Sequence, residues 1–323
     1  MRYGKIPYVD KQVSRIFWGT SQPGMLRGEE ADDSFEEMFE LGVNALDTAR
    51  NYQMAEKSIG TWLKHCNRRK DVVILSKCAH HDTQTMEKRV TPECMQEDLA
   101  VSLDLLNTDY IDIYILHRDD ETKPVGPIVE TLNRMYEDKR IGAFGASNWT
   151  HERICEANAY AAAHGLVPFS VSSPNFSLAR QVEDPWGGNC VSIGGPEGEK
   201  ARAWYRKEKM PVISYSSIAR GFFSGKFRSD DPEEKIRSAL DIHAQKQFFC
   251  RDNLERLARA EKLAREKDAS VSQIALAYLF ASGIDCYAII STSSAARMKS
   301  NIGALEIELT EADVRYLESG EAK

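Results

Sequence analysis

Four side chains that can exchange protons stand at, or just after, the ends of three consecutive predicted strands. Asp47 ends the first strand and Tyr52 follows it closely, Lys77 ends the second strand, and His117 ends the third. In a parallel α/β barrel the carboxyl ends of all strands open on one face, where active sites are built. An acid, a phenol, an amine and an imidazole at that face can deliver a proton to a carbonyl oxygen. The repeated placement at strand ends therefore predicts one shared site.

Each of the four residues also has an ordinary structural interpretation. An aspartate is a common helix N-cap, and a lysine at a strand end is usually solvated. A lone histidine is usually structural or exposed, and a single tyrosine usually packs with its hydroxyl in water. The joint placement of the four favours the catalytic interpretation over these.

The elements that must position these residues alternate along the chain. Short β-type runs are separated by helical stretches, which is typical of βα units and a parallel sheet. Several runs are almost continuously apolar, as expected for strands buried on both faces. The pattern predicts a (β/α)8 TIM barrel built from Arg15 to Gly19, Val43 to Asp47, Val72 to Lys77, Tyr110 to His117, Ile141 to Ser147, Phe169 to Ser173, Val212 to Ser216 and Tyr287 to Thr292.

The helices carry recognisable signals. Thr91 before Pro92 predicts an N-cap with proline at the first helical position, and residues 254–263 form an apolar stripe on a charged helix. Residues 310–313 resemble a capping box that opens an extra C-terminal helix. Length alone leaves two domains open, but 323 residues suit one barrel of about 250 residues with added loops. We predict that residues 1–323 form a single domain.

Two segments break the regular alternation. Residues 177–199 are rich in glycine and proline, and residues 219–249 contain the charged run 229–235. Long loops in a compact domain are usually lids or binding loops. Since both follow predicted strands, we expect both on the active face, with residues 186–196 setting substrate specificity.

Bulk properties exclude some functions. A net charge of −7 argues against a general nucleic-acid binder. No apolar run approaches the roughly 20 residues of a membrane span, and no apolar signal core follows the first residues, so we expect a cytoplasmic protein. The seven cysteines form no C-x-x-C pair, and we predict neither a zinc site nor a disulfide framework. His80, His81 and Asp82 are interpreted as a loop at the substrate rim, without a metal.

Longer blocks of the sequence resemble one known family. Residues 46–52, Leu-Asp-Thr-Ala-Arg-Asn-Tyr, are similar to the D-T-A-x-x-Y signature of the aldo-keto reductase superfamily. The resemblance spans nearly the whole chain in the right order, through Ser76-Lys77, Leu116-His117, residues 145–148, Tyr215-Ser216, and Arg297 with Asn301. It implies an NADPH-dependent oxidoreductase that reduces an aldehyde or ketone, with a small-molecule carbonyl compound as its substrate.

Physical chemistry supports the catalytic roles that this resemblance implies. A phenol has an ordinary pKa of about 10, so Tyr52 is protonated at neutral pH and can act as the proton donor. An ammonium nearby stabilises the phenolate that forms, and Lys77 would supply it. Asp47 would keep Lys77 charged and oriented, and His117 would bind the substrate oxygen or assist the proton transfer.

The resemblance also implies which residues bind the cofactor. Ser147 and Asn148 would bind the nicotinamide carboxamide together with Ser173, which stands where the family usually has glutamine. Tyr215 would stack on the nicotinamide. The segment that follows Tyr215 is similar to the family loop that folds over the cofactor diphosphate, and backbone amides and a cation there suit a diphosphate. This segment would contribute Ser216, Ile218 and Arg220.

The last predicted strand leads into a second group of cofactor contacts. Serine hydroxyls, helix N-terminal amides and a guanidinium suit the 2′-phosphate of NADPH, which favours NADPH over NADH. Ser291 replaces a frequent glycine of the family. The residues assigned to the cofactor here and at the end of the first strand are Gly19, Thr20, Ser291, Thr292, Ser293, Arg297 and Asn301.

Two alternative functions stay open. The family includes potassium-channel β subunits that bind NADPH and dock to a membrane partner, so one alternative is a regulatory subunit with little turnover. The complete set of four catalytic residues and the lack of a long N-terminal arm favour the enzyme. A glycosidase on the same fold would need two suitably spaced carboxylates, but Asp47 stands beside a lysine and Asp112 lies in mid-strand. The sequence leaves the oligomeric state open.

Overall fold

A parallel barrel forms the centre of the fold. The computed structural model describes residues 1–187 and 190–321, and within them eight parallel strands close a barrel. Each overlaps one predicted run, so the predicted (β/α)8 barrel is confirmed. A hairpin of β1 and β2, which the sequence did not reveal, precedes the barrel. The strands are β1 (Tyr3–Gly4), β2 (Val13–Ser14), β3 (Ile16–Gly19), β4 (Ala45–Asp47), β5 (Val73–Cys78), β6 (Ile111–Leu116), β7 (Ile141–Ser147), β8 (Val171–Ser173), β9 (Val212–Ser214) and β10 (Cys286–Ile290).

The barrel strands follow one another in chain order. Their order is β10-β3-β4-β5-β6-β7-β8-β9, and it closes on itself. All six residues of β5 and all six of β6 are buried, because a barrel strand faces side chains inside and helices outside. In the register Asp47 pairs with Leu75, and Lys77 pairs with Ile115. The strands that carry the predicted catalytic residues are therefore direct neighbours.

Helices connect the strands. In the described part of the chain they are α1 (Pro23–Leu26), α2 (Asp32–Glu40), α3 (Ala55–Cys66), α4 (Pro92–Leu106), α5 (Val125–Glu137), α6 (His151–Ala163), α7 (Glu199–Glu208), α8 (Glu233–Ser238), α9 (Ile242–Phe248), α10 (Arg251–Glu266), α11 (Val271–Ala281), α12 (Ala295–Ile302) and α13 (Glu311–Ser319). Across residues 1–187 and 190–321, no helix is both long and apolar enough to cross a membrane.

The predicted helix caps are confirmed. The Thr91 hydroxyl accepts a hydrogen bond from the Cys94 amide, and Pro92 is the first residue of α4. At α13 the Thr310 hydroxyl accepts from the Asp313 amide at 3.1 Å, and the Asp313 carboxylate accepts from the Thr310 amide at 3.0 Å. These reciprocal bonds satisfy two amides that a helix start leaves without partners.

The two irregular segments differ in structure. Residues 177–199 lack a regular helix until the short 3-10 turn at Pro196–Gly198, and Gly188 and Asn189 lie outside the described residues. The interpretation of residues 219–249 as a long loop is wrong in part, because this segment contains α8 and α9. The Asp241 carboxylate accepts from the Ala244 amide at 2.8 Å and begins α9, a capping signal that the charged composition concealed.

Packing divides the chain into two compact units. The first comprises Met1–Ser173 and Ser291–Ala295, and the second comprises Pro174–Ile290 and the chain from Ala296 onward. In the first unit the ring of Phe35 stacks on Trp62 at 4.8 Å and meets Trp18 edge-on at 5.1 Å. Trp18 is thus a core residue. The prediction of a single domain stays a prediction.

In the second unit β9 and β10 pair in parallel, with Val212 opposite Cys286. Phe222 and Phe223 are fully buried here. Phe222 meets Phe227 edge-on at 5.4 Å, so these rings form a local apolar core.

Candidate active site

The four predicted catalytic residues lie together in the first unit. Asp47 is the last residue of β4, Lys77 lies in β5 one position before its end, and His117 directly follows β6. Tyr52 lies in the turn between β4 and α3. The Thr48 amide donates to the Leu75 carbonyl at 2.9 Å, and the Arg50 amide donates to the Lys77 carbonyl at 3.0 Å. These two bonds tie the turn along the end of β5 and bring the phenol to the lysine.

The ammonium of Lys77 holds the group together. Its Nζ donates to Asp47 Oδ1 at 2.5 Å, to the Thr48 carbonyl at 2.8 Å and to the Tyr52 hydroxyl at 3.5 Å. An ammonium has three protons, so all three have acceptors. Asp47 and Lys77 are only 4% and 3% exposed, and a buried charge pair of this kind requires such complete satisfaction.

The surroundings set the protonation states. Burial acts to lower the pKa of Lys77, but the charges of Asp47 and Tyr52 outweigh it, and the pKa is raised above 10.5. Burial raises the pKa of the Tyr52 phenol above 10.0, although Lys77 acts in the opposite direction. The net effect on Tyr52 differs from the acidification that the sequence suggested. Lys77 is therefore a cation at neutral pH, and Tyr52 is a neutral hydroxyl that can donate a proton.

His117 completes the group as a neutral imidazole. Its ring meets that of Tyr52 edge-on, with centroids 5.7 Å apart. Burial, together with the charge of Lys77, lowers its pKa well below 6.5. Its buried Nδ1 has no hydrogen-bond partner within the described residues. A buried ring nitrogen without a partner is costly in a finished protein, so this atom is suited to meet a bound molecule.

Three polar residues lie at, or just after, the ends of the next two barrel strands. The Ser147 hydroxyl donates to the Ser173 carbonyl at 2.7 Å, and Asn148 Nδ2 donates to the Ser147 hydroxyl at 3.1 Å and to the His117 carbonyl at 3.2 Å. The Ser173 hydroxyl is buried, and it too has no hydrogen-bond partner within the described chain. These bonds link the predicted carboxamide site to His117. The Ser173 hydroxyl is the polar group of this site that a bound molecule could satisfy.

The end of β3 is joined to residues 291–292 in the same unit. The Ser291 hydroxyl donates to the Gly19 carbonyl at 3.2 Å, and Trp18 Nε1 donates to the Thr292 carbonyl at 2.9 Å. Thr20 is buried, and both its amide and its hydroxyl donate to the Asp47 carbonyl at 2.9 Å. Ser291 and Ser293 are exposed. Ser291 and Thr292 thus lie at the end of β3, and Thr20 joins this end to the end of β4.

The segment after β9 in the second unit has an unusual backbone. Ser216, Ala219 and Arg220 have φ values of 53°, 51° and 51°, a left-handed conformation that costs energy in residues other than glycine. Such strain persists at sites where the surrounding structure imposes it, often binding sites. Arg220 is held by Asp241 at 3.0 Å and lies over the ring of Trp186, 5.8 Å from its centroid.

The other predicted residues of this unit occupy two places. Tyr215 lies beside Trp186, with ring centroids 6.3 Å apart, and Ile218 is partly exposed at the strained segment. Arg297 and Asn301 lie four residues apart on α12, where Arg297 is exposed and Asn301 is buried.

Known proteins are similar to this chain over most of its length. The model of the Aldo/keto reductase family matches residues 15–321. This chain belongs to that family. It is thus an oxidoreductase, of a family that acts on small-molecule carbonyl compounds.

Among its relatives is an aldo-keto reductase of Schizosaccharomyces pombe, named yakc and designated NADP(+). It is 28% identical over 286 residues, which are 86% of this chain and 78% of the relative. An aryl-alcohol dehydrogenase of Pestalotiopsis microspora is 24% identical over 301 residues, 90% of this chain and 72% of the relative. A norsolorinic acid reductase of Aspergillus flavus is 25% identical over 293 residues, 88% of this chain and 69% of the relative.

One carboxylate of this aldo/keto reductase was missed in the sequence. Glu56 is fully buried in the first turn of α3. It accepts from the Ser76 hydroxyl at 2.6 Å and from Arg50 Nη1 at 3.4 Å. Ser76 precedes Lys77, and Arg50 lies in the turn that carries Tyr52. An acid in the first turn is typical of a helix start. Only its spacing of four residues from Tyr52 could have indicated a place near the catalytic group.

Proposed function

We propose that this chain reduces an aldehyde or ketone with NADPH, and that Tyr52 donates the proton. The observation that carries the proposal is the Lys77 ammonium, which binds Asp47, the Thr48 carbonyl and the Tyr52 hydroxyl at once. A cation fixed on a neutral phenol stabilises the phenolate that proton donation leaves behind. The reverse reaction, oxidation of an alcohol, uses the same groups.

Two buried polar atoms support a cofactor at this site. His117 Nδ1 and the Ser173 hydroxyl have no hydrogen-bond partner in the described part of the chain, as expected where a polar molecule binds. When bound, NADPH supplies the hydride for the carbonyl carbon. Ser147, Asn148 and Ser173 would bind its carboxamide, and Ser173, shorter than the usual glutamine, leaves much of that contact to Asn148.

In the second unit, residues of two segments would hold the remainder of the cofactor. Tyr215 would stack on the nicotinamide, and the strained backbone of residues 216–220 would present amides and Arg220 to a diphosphate. The guanidinium of Arg297 would bind the 2′-phosphate, with Ser293 and Asn301 nearby in sequence. The Schizosaccharomyces pombe relative, designated NADP(+), supports this preference.

The proton would pass from Tyr52 to the carbonyl oxygen. His117, a neutral imidazole at neutral pH, would hydrogen-bond the same oxygen and fix its position. Asp47 would keep Lys77 charged and its Nζ directed at the phenol. The relatives named aryl-alcohol dehydrogenase and norsolorinic acid reductase support carbonyl and alcohol chemistry for this chain.

Replacing Tyr52 by phenylalanine tests this function. We expect Y52F to keep NADPH binding, measured by quenching of tryptophan fluorescence, and to lose about 10²- to 10⁴-fold in turnover of an aldehyde panel. NADH titrated in parallel should bind more weakly than NADPH. An unchanged rate in Y52F would refute the mechanism. Tight NADPH binding by the wild type without turnover of any carbonyl would support the regulatory alternative instead.

A further inference from the structure

A second histidine lies against the catalytic one. The ring of His80 meets that of His117 edge-on, with centroids 4.7 Å apart. His80 follows β5, the strand that carries Lys77, and is half-buried. The proposed function assigns no role to it, although it is one ring away from the groups that would bind the carbonyl oxygen.

The backbone before His80 is built to direct it there. Ala79 has φ 56°, a left-handed conformation that a non-glycine residue adopts at a cost. Its amide donates to Asp98 Oδ2 at 2.8 Å, and Arg89 binds both carboxylate oxygens of Asp98, at 2.9 and 3.1 Å. A buried carboxylate held by a guanidinium thus fixes this turn. Strain maintained in this way is typical of functional positions.

Hydrogen bonding sets the tautomer of His80. Its Nδ1 lies 2.8 Å from the His81 carbonyl oxygen, and because a carbonyl only accepts, Nδ1 must carry the proton. Burial lowers the pKa of His80 to about 4, so the ring is neutral at pH 7. Its Nε2 is then a lone-pair acceptor, and none of the described residues donates to it.

We propose that His80 Nε2 accepts a hydrogen bond from a hydroxyl on the substrate carbon next to the carbonyl, so that the enzyme prefers 2-hydroxy aldehydes or ketones. This inference rests on the proposed function. Because the His80 ring packs against His117, which would bind the carbonyl oxygen, a substituent on the carbon next to the carbonyl would be within reach of His80. A hydroxyl there satisfies the acceptor, whereas an apolar substituent covers it and leaves it without water or a partner.

A matched pair of aldehydes tests the inference. The wild type should prefer 2-hydroxypropanal over propanal by roughly two- to twelvefold in kcat/KM, the value of one neutral hydrogen bond. H80F retains a ring against His117 but has no acceptor, and it should lose the preference while kcat/KM for propanal stays within about twofold. H80Q supplies a carbonyl acceptor and should restore part of the preference. H164F, at an exposed histidine on the end of α6, serves as the control.

The outcomes separate this inference from the proposed function. Equal use of the two aldehydes by the wild type, or a preference that survives in H80F, overturns the role of His80 and leaves the reductase intact. Failure of the wild type to reduce either aldehyde or any other carbonyl overturns the proposed function and this inference with it. If H80F does not fold, H80N takes its place, because its shorter amide cannot reach the same position. Loss of the preference in folded H80N supports the role of His80, and a retained preference overturns it.

Discussion

Replacement of Lys77 by methionine should separate the contribution of the Asp47–Lys77 pair to folding from its contribution to chemistry. Methionine keeps the length of the side chain and removes the charge, so Asp47 stays buried without its ammonium partner. Breaking a buried ion pair in this way costs about 3–5 kcal/mol. Since domains are stable by about 5–15 kcal/mol, K77M should fold but unfold at a lower denaturant concentration.

The effect on chemistry follows from one distance. Lys77 Nζ lies 3.5 Å from the Tyr52 hydroxyl, and with an effective dielectric constant of about 20 a charge pair at that distance gains at most about 5 kcal/mol. This corresponds to about 3.5 units in the pKa of the phenol. Proton transfer responds to part of that change, and we expect turnover of K77M to fall by about 10²- to 10³-fold.

The double variant D47N/K77M supplies the control. It removes both charges, so it should be more stable than K77M while its turnover stays equally low. Urea unfolding of the wild type, both single variants and the double variant measures the stability, and consumption of NADPH with a saturating aldehyde measures turnover. If K77M were as stable as the wild type, or kept more than about a tenth of its turnover, the reasoning on the buried pair would be refuted.

Three further predictions concern other buried polar groups. E56A should be less stable by about 1–3 kcal/mol in urea unfolding, because Ser76 and Arg50 lose their acceptor. Its kcat should fall while NADPH affinity is kept, and E56Q should recover most of the stability and most of the kcat. A normal kcat in E56A would contradict the idea that Glu56 positions Lys77 and Tyr52 through Ser76 and Arg50. S173A should be as stable as the wild type or about 1 kcal/mol more stable, since a buried hydroxyl without a partner is removed, yet bind NADPH more weakly in a fluorescence titration; unchanged affinity would exclude the contact. The pKa of His80 is lowered by burial from 6.5 to about 4, so its contribution to stability is present above pH 6.5 and is lost as the pH falls through 4. In urea unfolding across this range, the free energy of unfolding should fall less steeply in H80Q than in the wild type, by at most about 1.4 kcal/mol per pH unit. Identical profiles would count against a neutral His80.

The fold could be predicted because its signals are local. Apolar runs identified every barrel strand, and capping residues such as Thr91 and Thr310 identified helix starts. The hairpin of β1 and β2 was missed because two-residue strands carry no periodicity, and α8 and α9 were missed because a charged, proline-containing segment resembles a loop. The pairing of β1 with β2 is a contact between separate segments, whereas α9 begins with a local capping residue, Asp241.

The site was only partly predictable, for a different reason. Lys77 and His117 could be placed near each other because both end predicted strands, and those strands are neighbours in the barrel. Neither the contact of His80 with His117 nor the link from Glu56 to Ser76 could be deduced, because each depends on the direction of a side chain after a turn. The left-handed conformation of Ala79, which directs His80, has no sequence signal, since alanine rarely adopts it.

The two strand carboxylates explain why a glycosidase is a poor alternative on this barrel. Asp112 is neutralised by Lys11 at 2.6 Å and Arg69 at 2.9 Å. Asp112 also accepts from the Ile74 amide at 2.9 Å. Lys11 and Arg69 lie in segments that precede barrel strands, so this pairing is on the amino-terminal side of the strands. Asp47 lies at the carboxyl end of its strand and is bound to Lys77. A glycosidase needs two carboxylates that face one bond from either side, whereas here one carboxylate orients a lysine and the other is paired with two cations near the start of β6.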